Sequence, residues 1–236
     1  MRVSAVLCLV VLVACGGGSP TGASTPEVGA VYSQLQAPVK LRGEWSTASE
    51  APYVPGEHNV VIITPSYAKD KPEDVAFWLA DRHLPAIVYA GFIYESPQNT
   101  WASAWVNFDK YLKPFKDKGV LIGIQPLDEA AHHGKFGVVP AAIADVRARG
   151  YRVLLTEVID YIDESGFYKL KYPQVDWFHV TCYPFPQSRW NLNTCAQEYL
   201  EHPEWDAAIL DTNWSNADQW VQMAQSKGRG WLLWRE

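Results

Sequence analysis

From residue 39 onward the chain alternates two kinds of segment: short apolar runs rich in Val, Ile and Leu, and longer stretches whose apolar residues recur every three or four positions. Unbroken apolar runs of four to eight residues fit strands covered on both faces, and the longer period fits helices packed on one face. Strands are expected at 39–45, 59–64, 86–94, 120–127, 152–159, 176–183, 207–211 and 230–234. Helices are expected between most of them, at 72–82, 101–118, 140–149, 195–200 and 216–227. Pro72 opens the first helix and Ser215-Asn216 introduces the last, both recognised start signals. Such alternation predicts a parallel α/β fold, and eight strands fit a closed (β/α)8 barrel. Its first and last units are irregular. Residues 46–58 carry two Pro and one Gly and read as a loop where a helix belongs, and no helix follows the eighth strand. Roughly 200 residues is small for this fold, so a gene fragment and an open α/β sheet remain alternatives.

The fourth strand candidate, Val120-Leu121-Ile122-Gly123-Ile124-Gln125-Pro126-Leu127, runs into the adjacent carboxylates Asp128 and Glu129. Barrels of this kind place chemistry at the C-terminal ends of their strands. Side chains alternate along a strand, so Glu129 shares one face with Leu127, Gln125 and Gly123, while Asp128 falls with Pro126, Ile124, Ile122 and Val120. The greasier face suits packing under helices, and the expectation is that Glu129 faces the barrel.

Other strand ends carry polar or aromatic residues: Glu44 and Trp45, Ser66 and Tyr67, Glu95, Glu157 and Asp160, Tyr183, Asp211 with Asn213 and Trp214, then Trp234 and Glu236. A ring of carboxylates among aromatics is what sugar hydrolysis requires. One carboxylic acid protonates the leaving oxygen, another stabilises or attacks the oxocarbenium-like centre, and aromatic faces stack on the pyranose. The order of strands, with Glu129 ending the fourth, resembles TIM-barrel glycoside hydrolases that carry their acid/base Glu there and a nucleophile at the end of strand seven. The phrases Pro126-Leu127-Asp128-Glu129-Ala130, Val175-Asp176-Trp177 and Cys182-Tyr183 are similar to hydrolase-like bacterial barrels of this type. The resemblance implies Glu129 as proton donor, Asp128 as its orienter, and Asp211 or Glu157 as second carboxylate. It implies Tyr67, Tyr183, Asn213, Trp214 and Trp234 as residues that grip sugar. In that clan the acid usually follows Asn rather than Asp128, and strand seven offers Asp211 where the family has Glu. An adjacent Asp-Glu pair also resembles substrate-assisted hexosaminidases, with Tyr183 as partner. An inverting mechanism, with carboxyls about 6.5–9.5 Å apart, is a third option. A non-catalytic carbohydrate-binding or envelope protein on a degenerate barrel is the rival from another class.

Glu129 and His133 stand four residues apart, with His132 beside them, but the spacing is not HExxH. The two histidines read as surface residues of a loop ending at Gly134, and neither a metal nor another cofactor is expected. The chain holds no GxSxG elbow, GxGxxG or Walker pattern.

Met1-Arg2 and the apolar stretch Val3 to Val13 read as an export signal, too short to span a bilayer. Leu12-Val13-Ala14-Cys15 resembles the lipobox of bacterial lipoproteins, which implies cleavage after residue 14 and lipid on Cys15. The expected layout is a signal peptide at 1–14, the lipidated Cys and a flexible tether at 15–35, and one barrel domain at 36–236. That layout places the protein in the bacterial cell envelope, anchored to a membrane through lipid on a periplasmic or extracellular face. Of four Cys, Cys8 leaves with the signal and Cys15 takes lipid, which leaves Cys182 and Cys195. In an oxidising compartment these are expected to form a disulfide, two buried thiols being the alternative. Within 236 residues, 48% hydrophobic, nothing marks a second core. The net charge of −6 and scattered basic residues argue against nucleic acid as a partner. Eleven Trp and twelve Tyr against two Met favour a core built of aromatics, with some left to line a cleft.

Overall fold

Each of the eight apolar segments becomes a strand, because both of its faces find cover: one inside a closed barrel, the other beneath helices. The computed structural model describes residues 41–46, 59–63, 72–81, 85–158, 162, 174–182, 192–211 and 217–235. The strands are β1 (Arg42–Ser46), β2 (Val60–Ile63), β3 (Ala86–Tyr89), β4 (Leu121–Gln125), β5 (Arg152–Val158), β6 (Trp177–Cys182), β7 (Ala207–Asp211) and β8 (Gly230–Arg235). All neighbours are parallel, and β8 pairs with β1, so the sheet closes in sequence order. This is the expected (β/α)8 TIM barrel, and the open-sheet alternative falls. Helices α1 (Pro72–Asp81), α2 (Trp101–Asp117), α3 (Val139–Ala148), α4 (Leu192–Glu201) and α5 (Ala217–Ser226) lie between strands.

Two apolar layers hold the barrel. Leu41 at the foot of β1, with Val60, Ile62, Ile87, Ile122, Leu154, Trp177, Ala207 and Leu232, fills the lower interior, a plug to which every strand position contributes. Val88, Ile124, Leu155, Phe178 and Val180 face outward and pack against Leu79, Trp105, Phe108, Ile143 and Val146 from the helices. Trp101, Trp105, Trp177, Trp205 and Trp231 are all buried, as expected of an aromatic core.

The third strand is shorter than expected. Ala90 still donates its N–H to the Gln125 carbonyl, but Ile93 and Tyr94 then donate back to the Ala90 carbonyl, turning Gly91–Tyr94 into a helical turn. Cys182, on the outward parity of Phe178 and Val180, is disulfide-bonded to Cys195 of α4, with Cα atoms 5.8 Å apart. The expectations at 1–14 and 15–35, including Cys15, and the irregular loop at 47–58 lie outside the described residues.

Candidate active site

The site starts from a register irregularity. Ile124 of β4 is opposite Val153 of β5, and Asp128 is opposite Thr156. Four steps along the first segment thus answer three along the second, so the β4 side carries one extra residue. That insertion breaks the alternation of side chains. Gly123 faces inward, since a Cβ there would meet Trp177 and Ile87 of the plug. Gln125, two residues on, faces inward as well. Thr156 shares the inward parity of Leu154, and parallel partners share a face. Asp128 therefore takes the inward position that the sequence pattern gave to Glu129, while Leu127 turns outward into the helix-facing core.

Above the apolar plug the barrel interior changes character. Tyr89, Gln125, Asp128, Thr156, His179 and Thr181 form a buried polar layer at the C-terminal end of the barrel. Gln125 Nε2 donates to Asp128 Oδ1 at 3.1 Å. Gln125 Oε1, Thr156 Oγ1 and Thr181 Oγ1 are buried without a hydrogen-bond partner. Buried polar atoms are rarely left so, and such a layer suits a ligand or waters that supply the missing bonds. At its edge Tyr89 donates its hydroxyl proton to Glu95 Oε1 at 2.7 Å, and Lys135 Nζ lies 3.1 Å from the same oxygen.

Burial holds the Asp128 carboxyl well above the usual carboxylate range. The charges of Glu129, Glu157 and Glu95 push the same way, and only the Gln125 hydrogen bond favours the charged form. Asp128 thus keeps its proton where an ordinary Asp has lost it.

Glu129 leaves the ladder. Its N–H donates to the Thr156 carbonyl at 3.1 Å, and its φ is +44°, in the left-handed region that a non-glycine residue occupies at a cost of about 1–3 kcal/mol. The chain then makes one tight turn. His133 N–H donates to the Glu129 carbonyl, Lys135 N–H to Ala130 and Gly134 N–H to Ala131, with Gly134 at φ +67°. The last two bonds are those of a Schellman closure, which requires the left-handed glycine. Glu129 is buried at 3% exposure, and its carboxylate lies within 4.8 Å of ring nitrogens of both His132 and His133. His133 is pushed below its ordinary value, first by desolvation and then by His132 and Lys135.

Glu157 faces away from the barrel interior. It pairs in register with Val180, an outward residue, and is fully buried. Its Oε2 accepts the N–H of Ala131 at 2.8 Å, and its Oε1 accepts those of Val158 at 3.0 Å and His132 at 3.4 Å. It therefore anchors the turn that carries Glu129.

The structure brings Asp128, Glu129 and Glu157 together. Asp211 ends β7 and stands opposite Trp234 of β8, with both side chains outside the described part. Tyr67, Tyr183, Asn213, Trp214 and Glu236 also lie outside it. The barrel-facing position of Gln125 was expected from alternation, whereas sequence reasoning missed Thr156, His179 and Thr181. Their signal was present: Thr156 and His179 stand two residues beyond Leu154 and Trp177 in strands otherwise almost wholly apolar.

No protein-family model matches the sequence, and no curated protein matches it. Among solved structures, a family 2 AP endonuclease from Brucella melitensis is 13% identical, with 82% of this chain and 92% of that one covered and a TM-score of 0.46. A chitinase from Chromobacterium violaceum is 12% identical, covering 73% of this chain and 68% of that one, with a TM-score of 0.38. Endo-glycoceramidase II from Rhodococcus sp., in a cellobiose-like imidazole complex, is 12% identical, covering 82% and 73%, with a TM-score of 0.44.

Proposed function

We propose that this chain is a glycoside hydrolase-like lipoprotein of the bacterial envelope that cleaves glycosidic bonds of an oligo- or polysaccharide by carboxylate acid/base catalysis. The observation that carries the reading is the placement of Asp128: the extra residue before it turns its carboxyl into the barrel's C-terminal end. There it adjoins Gln125 and Thr156, and the partnerless oxygens of these two and of Thr181 in the same polar layer suit a hydroxyl-rich ligand. In this reading Asp128 protonates the leaving oxygen, a role the sequence pattern assigned to Glu129. Asp211, at the end of β7, serves as second carboxylate, and Tyr67, Tyr183, Asn213, Trp214 and Trp234 hold the sugar.

The test is hydrolysis of a panel of oligosaccharides and aryl glycosides by the wild type and Asp128→Asn. A general acid contributes about 10²–10⁴-fold, so the variant is expected to lose at least about a hundredfold in kcat while still binding sugar. A variant within tenfold of wild type would overturn the assignment. Wild-type binding with no turnover anywhere in the panel would replace the enzyme with a carbohydrate-binding lipoprotein.

The lipid anchor is tested separately. Metabolic labelling with a palmitate analogue is expected to mark the wild type and not Cys15→Ala, whose product should also leave the membrane fraction. Equal labelling of both would remove the anchor from this reading.

A further inference from the structure

The turn that follows Asp128 gathers a donor set that the reading above does not use. Glu129, His132 and His133 each offer one ligand atom, and the three atoms lie within 4.8 Å of one another. Their side chains come from a single chain turn, in which the His133 N–H bonds to the Glu129 carbonyl four residues back. That bond places the two residues on one side, and His132 completes the cluster with its ring 4.9 Å from that of His133 and inclined at 69°. We propose that Glu129, His132 and His133 form a binding site for a divalent transition ion of the zinc class at the rim of the barrel mouth.

Two features beyond proximity support it. The backbone of Glu129 is held at φ +44°, a conformation that persists in a non-glycine residue only when its surroundings enforce it. Those surroundings are present as a built frame: the Thr156 carbonyl takes the Glu129 N–H, Glu157 takes those of Ala131 and His132, and Gly134 closes the turn. Metal sites rely on such outer contacts to orient their ligands.

The chemistry of the donors selects the ion. Two imidazoles and one carboxylate suit zinc, cobalt or nickel, whereas calcium and magnesium prefer oxygen alone. Three donors bound to one ion at about 2.1 Å lie about 3.0–3.5 Å apart, so the cluster must tighten slightly. Side-chain rotation of His133, the exposed member, supplies that movement. Three protein ligands leave coordination positions open, where water or a hydroxyl of a bound ligand can enter.

The inference is independent of the hydrolase reading, and its readout is binding rather than turnover. Full-length untagged protein in detergent is stripped with a chelator, then titrated with cobalt(II) and followed by visible d–d absorption. Zinc(II) is titrated by calorimetry. One ion per chain is expected, with His132→Gln and His133→Gln each weakening affinity tenfold or more. His202→Gln, at a distant Glu–His cluster, should match wild type. Absence of d–d absorption, or affinities in both His132 and His133 variants within threefold of wild type, would leave only a Glu–His contact and overturn the site. Loss of binding in His202→Gln would overturn it as well.

Discussion

Glu157 shows what a single buried carboxylate can do away from the reacting atoms. Burying a carboxylate is expensive unless hydrogen bonds satisfy it, and Glu157 uses both oxygens on three backbone N–H groups. The bonds from Ala131 and His132 hold the turn that carries Glu129, so its substitution should be felt first in stability. Glu157→Leu keeps the bulk and removes the acceptors, which strands backbone N–H groups in a dry setting, at about 1–3 kcal/mol for each left unsatisfied. An overall loss of at least about 3 kcal/mol is expected if all three are stranded, read as a lowered Tm and a lowered denaturant midpoint, and an unchanged Tm would show that water replaces the carboxylate. At this scale the sequence pointed to the carboxylates and differed from the structure in which way two of them face. The adjacency of Asp128 and Glu129 at a strand end marked the site, but alternation assigned the inward position to Glu129, and Glu157 was expected to serve the reaction.

The reason lies one scale up, in β4. Strand and helix positions were legible because buried strands and amphipathic helices impose different periods on the chain, and eight apolar segments became eight strands. Extra residues in a strand leave no such mark, since they are defined by the partner strand. Relative to β3, β4 shifts by one residue between Leu121 and Gly123, and relative to β5 it gains one between Ile124 and Asp128. Gly123 sits between these shifts, and the absence of its side chain leaves room for the Trp177 indole in the plug. The sequence displayed the glycine and the tryptophan; only the closed barrel brings them together. The end of β3 was hidden for a related reason. Residues 86–94 are continuously apolar, and the bonds that bend the chain at Ala90 are backbone bonds that side-chain pattern does not encode.

For the molecule as a whole, closure by hydrogen bonds between β8 and β1 leaves no free sheet edge, and the disulfide adds a covalent link across the barrel wall. Cys182 faces outward from β6 and Cys195 faces inward from α4, so the bond ties the sheet to its helical layer. Cysteine counting anticipated the pair because export and lipidation would use the other two. Joining residues 13 apart removes loop entropy from the unfolded chain worth about 3 kcal/mol, the cysteines packing as small apolar groups in either state. A domain of about 200 residues loses about 2–4 °C in Tm per kcal/mol, so Cys182→Ser with Cys195→Ser should melt roughly 6–12 °C lower than wild type. Wild-type protein treated with reductant should move toward the same Tm, since the double variant and the reduced chain lack the same bond. Coincident melting of oxidised wild type, reduced wild type and the double variant would mean the link does not stabilise the fold. A drop under reductant ties full stability to an oxidising compartment, the setting that the proposed lipoprotein would occupy.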